Sequence, residues 1–360
     1  MNVSEVSRTS PLVASKSVNR TFEVALALLL LAAIAGIFWG GQRYPALLKK
    51  LHAGQSLKVA GAISFDALFL VVPTMPLAER VGRTSVNWLW TNRFGMYFAL
   101  PFGAAMMTLL ARTNHTKRFN NAAANVLCGA VAGAPMGVCS NCATPIGQSL
   151  LASGVSTRMT VAAMISSPSF NPIVIAMVLF LFPPWMAAAR LLVPTLLLLA
   201  LPLLVREPPP IFATISTPDW STKKDNPILS VAVDFLRSLF RLILLTLPWM
   251  VLAAVLGALA AETIPAYGTH LPVSVIGIVL VAIFGTLLPV PMALDVGLAW
   301  VLYHAGVPAP YVTALLCTLG VISVYSLTAL GKQLGWAVAF RLAGAAALLG
   351  SIAGLVSKTM

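Results

Sequence analysis

Long runs without a charged side chain most limit the folds open to this sequence. Val24 to Phe38, Phe94 to Leu110 and Ala309 to Leu330 contain no Asp, Glu, Lys or Arg at all. About 20 apolar residues as a helix cross the hydrocarbon of a bilayer. Across the 360 residues only 9% are charged and 59% are hydrophobic, against roughly 25% charged in soluble domains. Water would leave such a chain with too little polar surface to cover itself, whereas lipid tolerates it. The expected class is therefore all-α, a polytopic integral membrane protein with the lipid bilayer as its first partner.

The net charge of +13 does not point to nucleic acid, because the Lys and Arg residues fall between apolar runs rather than along one face. They read as a positive-inside signal. If the polar segment after Arg206 is cytoplasmic, Arg43, Lys49, Lys50, Lys58, Arg112, Lys117, Arg118, Arg158, Lys223, Lys224 and Lys332 also fall inside. The loop Glu262 to Leu271, with no Lys or Arg, falls outside. Arg80, Arg83 and Arg93 run against that assignment, as do Arg8, Lys16 and Arg20 in the tail and Lys358. The expected location is a cell inner membrane, crossed several times, with the first apolar run retained rather than cleaved.

The chain divides into a polar tail (1–20), N-terminal helices (21–93), a first membrane repeat (94–205), a cytoplasmic linker (206–235) and a second repeat (236–360). Placing Gly133 opposite Gly285 sets Gly154-Val155 opposite Gly306-Val307 without a gap, and Asn171 opposite Ser323. Each side of the linker has the same order: a long span, two short runs, a span with a polar interruption, a last span. Each half has an odd number of crossings, so two halves in sequence must be inverted. Inverted repeats meeting at broken helices are a common transporter build.

The short runs Ala122 to Val138 and Ala143 to Ala152 predict half-helices folded as a hairpin, with Thr144 as N-cap and Pro145 in the first turn of the second. Gly129, Gly133 and Gly137 recur at i+4, which lets another helix pack closely. The next span, about Arg158 to Phe182, is interrupted by Ser166-Ser167-Pro168-Ser169-Phe170-Asn171-Pro172, and such a break frees backbone carbonyls.

Between the half-helices lies Cys139-Ser140-Asn141-Cys142. Two thiols at this spacing suit one soft ion or each other; alternatively they are two small residues in a tight hairpin. Thr144 and Gln148 share a helix face with them. Ser167 and Asn171 add polar groups at the broken helix, or simply resatisfy its backbone. The candidate binding set is Cys139, Asn141, Cys142, Thr144, Gln148, Ser167 and Asn171, with Cys139 and Cys142 as the metal-binding pair. Asp295 is a carboxylate in an apolar run, a functional candidate by default. It is read as a proton-coupling group, or else as the ion-pair partner of Arg341 or Lys332. Asp66 is a weaker candidate of the same kind. Cys128 and Cys317 stand alone, and none of the four histidines has ligand spacing. There is no Walker A run, G-x-G-x-x-G or H-E-x-x-H, so no cofactor and no enzymatic motor is expected.

At Cys139-Ser140, Pro145, Gly154 and Pro168-Ser169-Phe170-Asn171-Pro172 the chain resembles the bacterial predicted-permease family that includes the organoarsenical efflux permeases. The resemblance covers about Leu127 to Phe182. One feature departs: the family's second Cys falls where Asn141 stands here, and the second thiol is Cys142. The resemblance implies a permease, with efflux of a thiol-reactive metalloid as one family activity. The resulting expectation is a secondary permease for a small inorganic or organometalloid solute, its homo-oligomeric state left open. A membrane thiol-disulfide oxidoreductase and a non-transporting anchor subunit are the alternatives.

Overall fold

Residues 11–45, 48, 68–72, 74–113, 119–207, 226–268, 272–290 and 294–359 are described by a computed structural model. Asp66, the loop residues His52, His115 and His270, and the linker stretch 208–225 lie outside them. The described residues are helical, with no strand. In chain order the helices are α1 (Pro11–Phe38), α2 (Leu77–Arg112), α3 (Ala122–Gly133), α4 (Ser140–Ala152), α5 (Thr157–Ser169), α6 (Pro172–Leu181) and α7 (Pro184–Leu204). Then follow α8 (Pro227–Gly268), α9 (Val275–Leu287), α10 (Leu294–His304), α11 (Ala309–Thr318), α12 (Val324–Leu334) and α13 (Trp336–Val356).

Among the described residues five helices are long and apolar enough to cross a bilayer: Arg20–Gln42, Arg93–Arg112, Pro184–Leu204, Pro227–Leu259 and Trp336–Val356. Their outward faces carry exposed apolar side chains at helical spacing, as in Leu192, Leu196, Leu199 and Leu203 of α7 and Leu236, Phe240, Leu244 and Leu247 of α8. Water would penalise such stripes; hydrocarbon does not. α5 and α6 meet at a 42° bend, where Pro172 cannot donate its backbone nitrogen and Asn171 caps the new helix instead, accepting from Ile173 N.

Several expected boundaries move. Helix α1 starts at Pro11, within the expected polar tail, and α8 starts at Pro227, within the expected linker. The anticipated start of α4 at Thr144 is also wrong. α4 begins at Ser140, Cys139 is its N-cap, and Pro145 sits inside it. The thiol of Cys139 accepts from Cys142 N at 3.2 Å, so the cap is met three residues before Pro145 appears.

Helix α3 packs along α5 with no room for side chains. A Cβ on Gly129 would lie 2.1 Å from the Met159 carbonyl oxygen, and one on Gly133 would lie 2.4 Å from that of Ala163. Gly137 does something else: at φ 59° it turns the chain between α3 and α4. In the second half a Cβ on Gly285 would lie 2.3 Å from Thr318 Oγ1 and 3.2 Å from Leu315 Cδ1.

Helix positions recur at an interval of 152 residues. Thr157 and Ala309 start α5 and α11, Pro172 and Val324 start α6 and α12, and Pro184–Leu204 matches Trp336–Val356 end to end. Gly154 and Gly306 share positive φ, 77° and 86°. Each closes the same turn, with Val155 N on Leu150 O and Val307 N on Leu302 O, both at 3.1 Å. The contacts cross between halves in matching pairs: α4 packs on α12, α10 on α6, and α2 on α8.

Candidate functional site

Cys139 and Cys142 lie at the N-terminal tip of α4, 3% and 1% exposed, with their sulfurs 2.9 Å apart. A disulfide would need about 2.05 Å, so these are two thiols in contact. Capping places them: the sulfur of an N-cap residue turns back over the first helical turn, and Cys142 occupies that turn. Helix α2 closes over them. Its Gly95 has no side chain, and a Cβ there would lie 3.2 Å from Cys142 Sγ. The next residue, Met96, brings its thioether to 3.9 Å from the same sulfur. Tyr325 of α12 lies within electrostatic reach of Cys142, and its hydroxyl contacts Thr246 Oγ1 of α8 at 3.3 Å. Helices α2, α4 and α12, drawn from both halves, therefore surround the sulfurs, with α8 behind Tyr325.

Asn141 joins the halves directly. Its Oδ1 accepts from Ser323 Oγ at 2.7 Å, and Ser323 is the N-cap of α12 at the second-half break. Beside this contact is a narrow void lined by Ser140, Val161, Ile322, Ser326 and Leu342 among others. The Ser140 hydroxyl is buried there without a hydrogen-bond partner.

The other expected site residues behave differently. Thr144 is fully buried, but its hydroxyl donates to Ser140 O in its own helix at 2.9 Å. Ser167 Oγ spans the backbone of Val138, donating to its carbonyl and accepting from its N–H, each at 3.2 Å. It fixes the chain just before the thiols. Asn171 is the N-cap of α6. Gln148 has a buried Oε1 with no partner. The geometry thus brings Cys139, Asn141 and Cys142 together with the second half, and turns Thr144, Ser167 and Asn171 to backbone work.

Asp295 is 3% exposed, in the first turn of α10. Its expected partners, Arg341 or Lys332, are not the ones it meets. It pairs with Arg190 of α7, Nη2 to Oδ2 at 2.9 Å, and Arg190 is fully buried. The pair is only half satisfied: Arg190 Nε and Nη1 and Asp295 Oδ1 have no hydrogen-bond partner. Arg190 was missed in the sequence, although the rule that singles out Asp295, a charge within an apolar run, applies to it equally.

Nor does the carboxylate share the thiols' core. Cys139 and Cys142 pack with Phe98, Ile146 and Ile165, whereas Val296, next to Asp295, packs with Ile173, Met186 and Leu316. The second-half break lies between the two sites. Gly320, with φ 74°, sits where a Cβ would come 2.9 Å from Asp295 Oδ2, and three residues later Ser323 holds Asn141. Among the described residues no group of three or more His, Cys, Asp or Glu could hold a metal ion. Comparison with protein-family models, with curated proteins and with solved structures returns no match.

Proposed function

We propose that this chain is a secondary permease of the inner membrane, moving a small thiophilic ion or solute, metalloids included, through a site between two inverted repeats. The observation that carries the reading is the pair of buried thiols at a helix tip where both halves meet. Burying an unpartnered Ser140 hydroxyl and an Asn–Ser bridge beside a void stabilises less than apolar packing would. Such groups at a helix interruption match how transporters bind cargo.

The architecture supports the inverted arrangement. Helices α3 and α4, at 12 and 13 residues, reach roughly 18–20 Å at 1.5 Å per residue, short of a hydrocarbon core of about 30 Å. The same holds for α9 and α10. Both hairpins are too short to span, and on this proposal the crossings of each half are its first helix, the following pair (α5 with α6, bent by 42°, or α11 with α12) and its last helix. Three crossings per half, counted this way, would invert the second half relative to the first. Asp295, poised against Arg190 and touching the second-half break, is the coupling group: a proton on it would weaken its hold on Arg190 and free the segment 319–323 to shift.

The test is transport in proteoliposomes holding this chain alone, with a trivalent arsenical or Ag(I) as trial solute. Cys139→Ser and Cys142→Ser should each abolish uptake while the melting temperature stays within a few degrees of the parent. Parental transport rates in both variants would refute the ligand role. The contact between the sulfurs is also what a dithiol–disulfide couple needs, so a thiol oxidoreductase is the second reading. A mixed disulfide trapped between Cys142→Ser protein and a partner would favour it.

A further inference from the structure

We infer that the cargo is a soft monovalent d10 cation, of the copper(I) or silver(I) class, and that Met96 is its third ligand. The inference rests on the permease reading of the thiol pair and narrows it. Three sulfurs lie in one chain of contact: Cys139 Sγ to Cys142 Sγ at 2.9 Å and Cys142 Sγ to Met96 Sδ at 3.9 Å. Metal–thiolate bonds run about 2.3 Å, so a trigonal centre holds its sulfurs roughly 4 Å apart. The Met96–Cys142 separation already has that value. The cysteines need to part by about an ångström, which a side-chain rotation at the N-cap supplies.

The position of Met96 is built into the helix. Gly95 lets α2 approach until its own Cβ site is 3.2 Å from Cys142 Sγ, so a larger residue there would require the sulfur or the helix to shift by a few tenths of an ångström. Met96 is partly buried in the same core as the two cysteines. Of the atoms facing the thiols, the thioether is the soft donor.

The donor set selects among thiophiles. Thiolate and thioether together favour copper(I) over harder ions. Zinc takes four N, S or O donors in a tetrahedron, and no carboxylate or imidazole completes such a group among the described residues. A trivalent organoarsenical is satisfied by two thiolates and has no use for a neutral thioether. Met96 is therefore the residue that separates the two classes of cargo.

The experiment uses the full chain in nanodiscs. Copper(I) is titrated against a chromophoric copper(I) chelator, and phenylarsine oxide serves as a probe that needs only the dithiol. The expected result is one copper(I) per chain and three sulfurs in its X-ray absorption shell. Met96→Leu, close in volume and apolar, should bind copper(I) at least tenfold more weakly with phenylarsine oxide binding unchanged. Equal copper(I) affinity in Met96→Leu and parent, or a two-sulfur shell in the parent, overturns the inference. Binding of phenylarsine oxide without copper(I) also overturns it while leaving the thiol site standing. Failure of the parent to bind either probe removes the thiol site itself. The absorption measurement on the parent decides the matter even if Met96→Leu proves unstable.

Discussion

Arg190 and Asp295 form a buried ion pair in which each partner keeps unmatched polar atoms. Removing two charges from water costs several kcal/mol apiece, and the 2.9 Å ion pair returns only part of it. Truncating one partner strands the other. Arg190→Leu should therefore destabilise by about 3–5 kcal/mol, read by thermal unfolding in lipid, while Arg190→Leu with Asp295→Leu should recover most of that loss. If Asp295 couples protons, Asp295→Asn should still bind phenylarsine oxide but lose the response of transport to an imposed pH gradient. A gradient response equal to the parent's would remove Asp295 from the coupling role. The pairing itself was not legible in the sequence. Arg190 and Asp295 are 105 positions apart, and nearer cations, Lys332 and Arg341, offered themselves on the second-half helices. Met96 gave no signal either, since a lone Met in an apolar run is the usual filler of a core.

Glycine spacing shows what was readable at the level of elements. Gly129 and Gly133 face one way along α3 because they are four apart, and both meet α5 backbone at distances no Cβ could occupy. The i+4 pattern encodes that contact directly. Gly137 continues the pattern on paper only, because Pro135 and the end of α3 at Gly133 intervene. Proline misled in the other direction: Pro145 suits a first turn, yet a proline six residues into a helix is tolerated where neighbouring groups resatisfy the freed backbone. The capping thiol of Cys139 went unseen because Cys is not among the usual N-cap residues. The packing claim has a direct check. Gly133→Val should lower stability by at least about 1–3 kcal/mol through overpacking, whereas Gly36→Ala, with nothing within 4 Å of its Cβ site, should be neutral or slightly stabilising. Equal melting temperatures for the two variants would contradict the close α3–α5 approach. Trp88 is buried at 8% exposure and lies against Gly257, where a Cβ would come 2.0 Å from its ring.

For the whole molecule, the interval of 152 residues, visible in the sequence as Gly154-Val155 against Gly306-Val307, holds for helices whose side chains differ almost throughout. What survives is backbone: positive-φ glycines, hydroxyl or amide caps at the breaks, and small residues where helices cross. Side-chain chemistry has diverged, with Cys142 and Ala143 in one hairpin standing opposite Leu294 and Asp295 in the other. On the proposed function that divergence would give the two tips separate tasks, soft-ligand binding in one and charge in the other, with the segment from Gly320 to Ser323 touching both. The orientation of the halves is the remaining step, and one pair of positions decides it. Ser153 and Ala305 occupy equivalent places at the ends of α4 and α10. Inverted halves put them on opposite faces of the membrane; parallel halves put them on the same face. With the four native cysteines replaced, Ser153→Cys and Asn226→Cys should resist an impermeant maleimide added to intact spheroplasts and react after permeabilisation. Ala305→Cys and Pro272→Cys should react at once. Labelling of Ser153→Cys and Ala305→Cys from the same side would mean the halves run parallel. The thiols and the carboxylate would then not approach the centre from opposite faces, as alternating access between inverted halves requires.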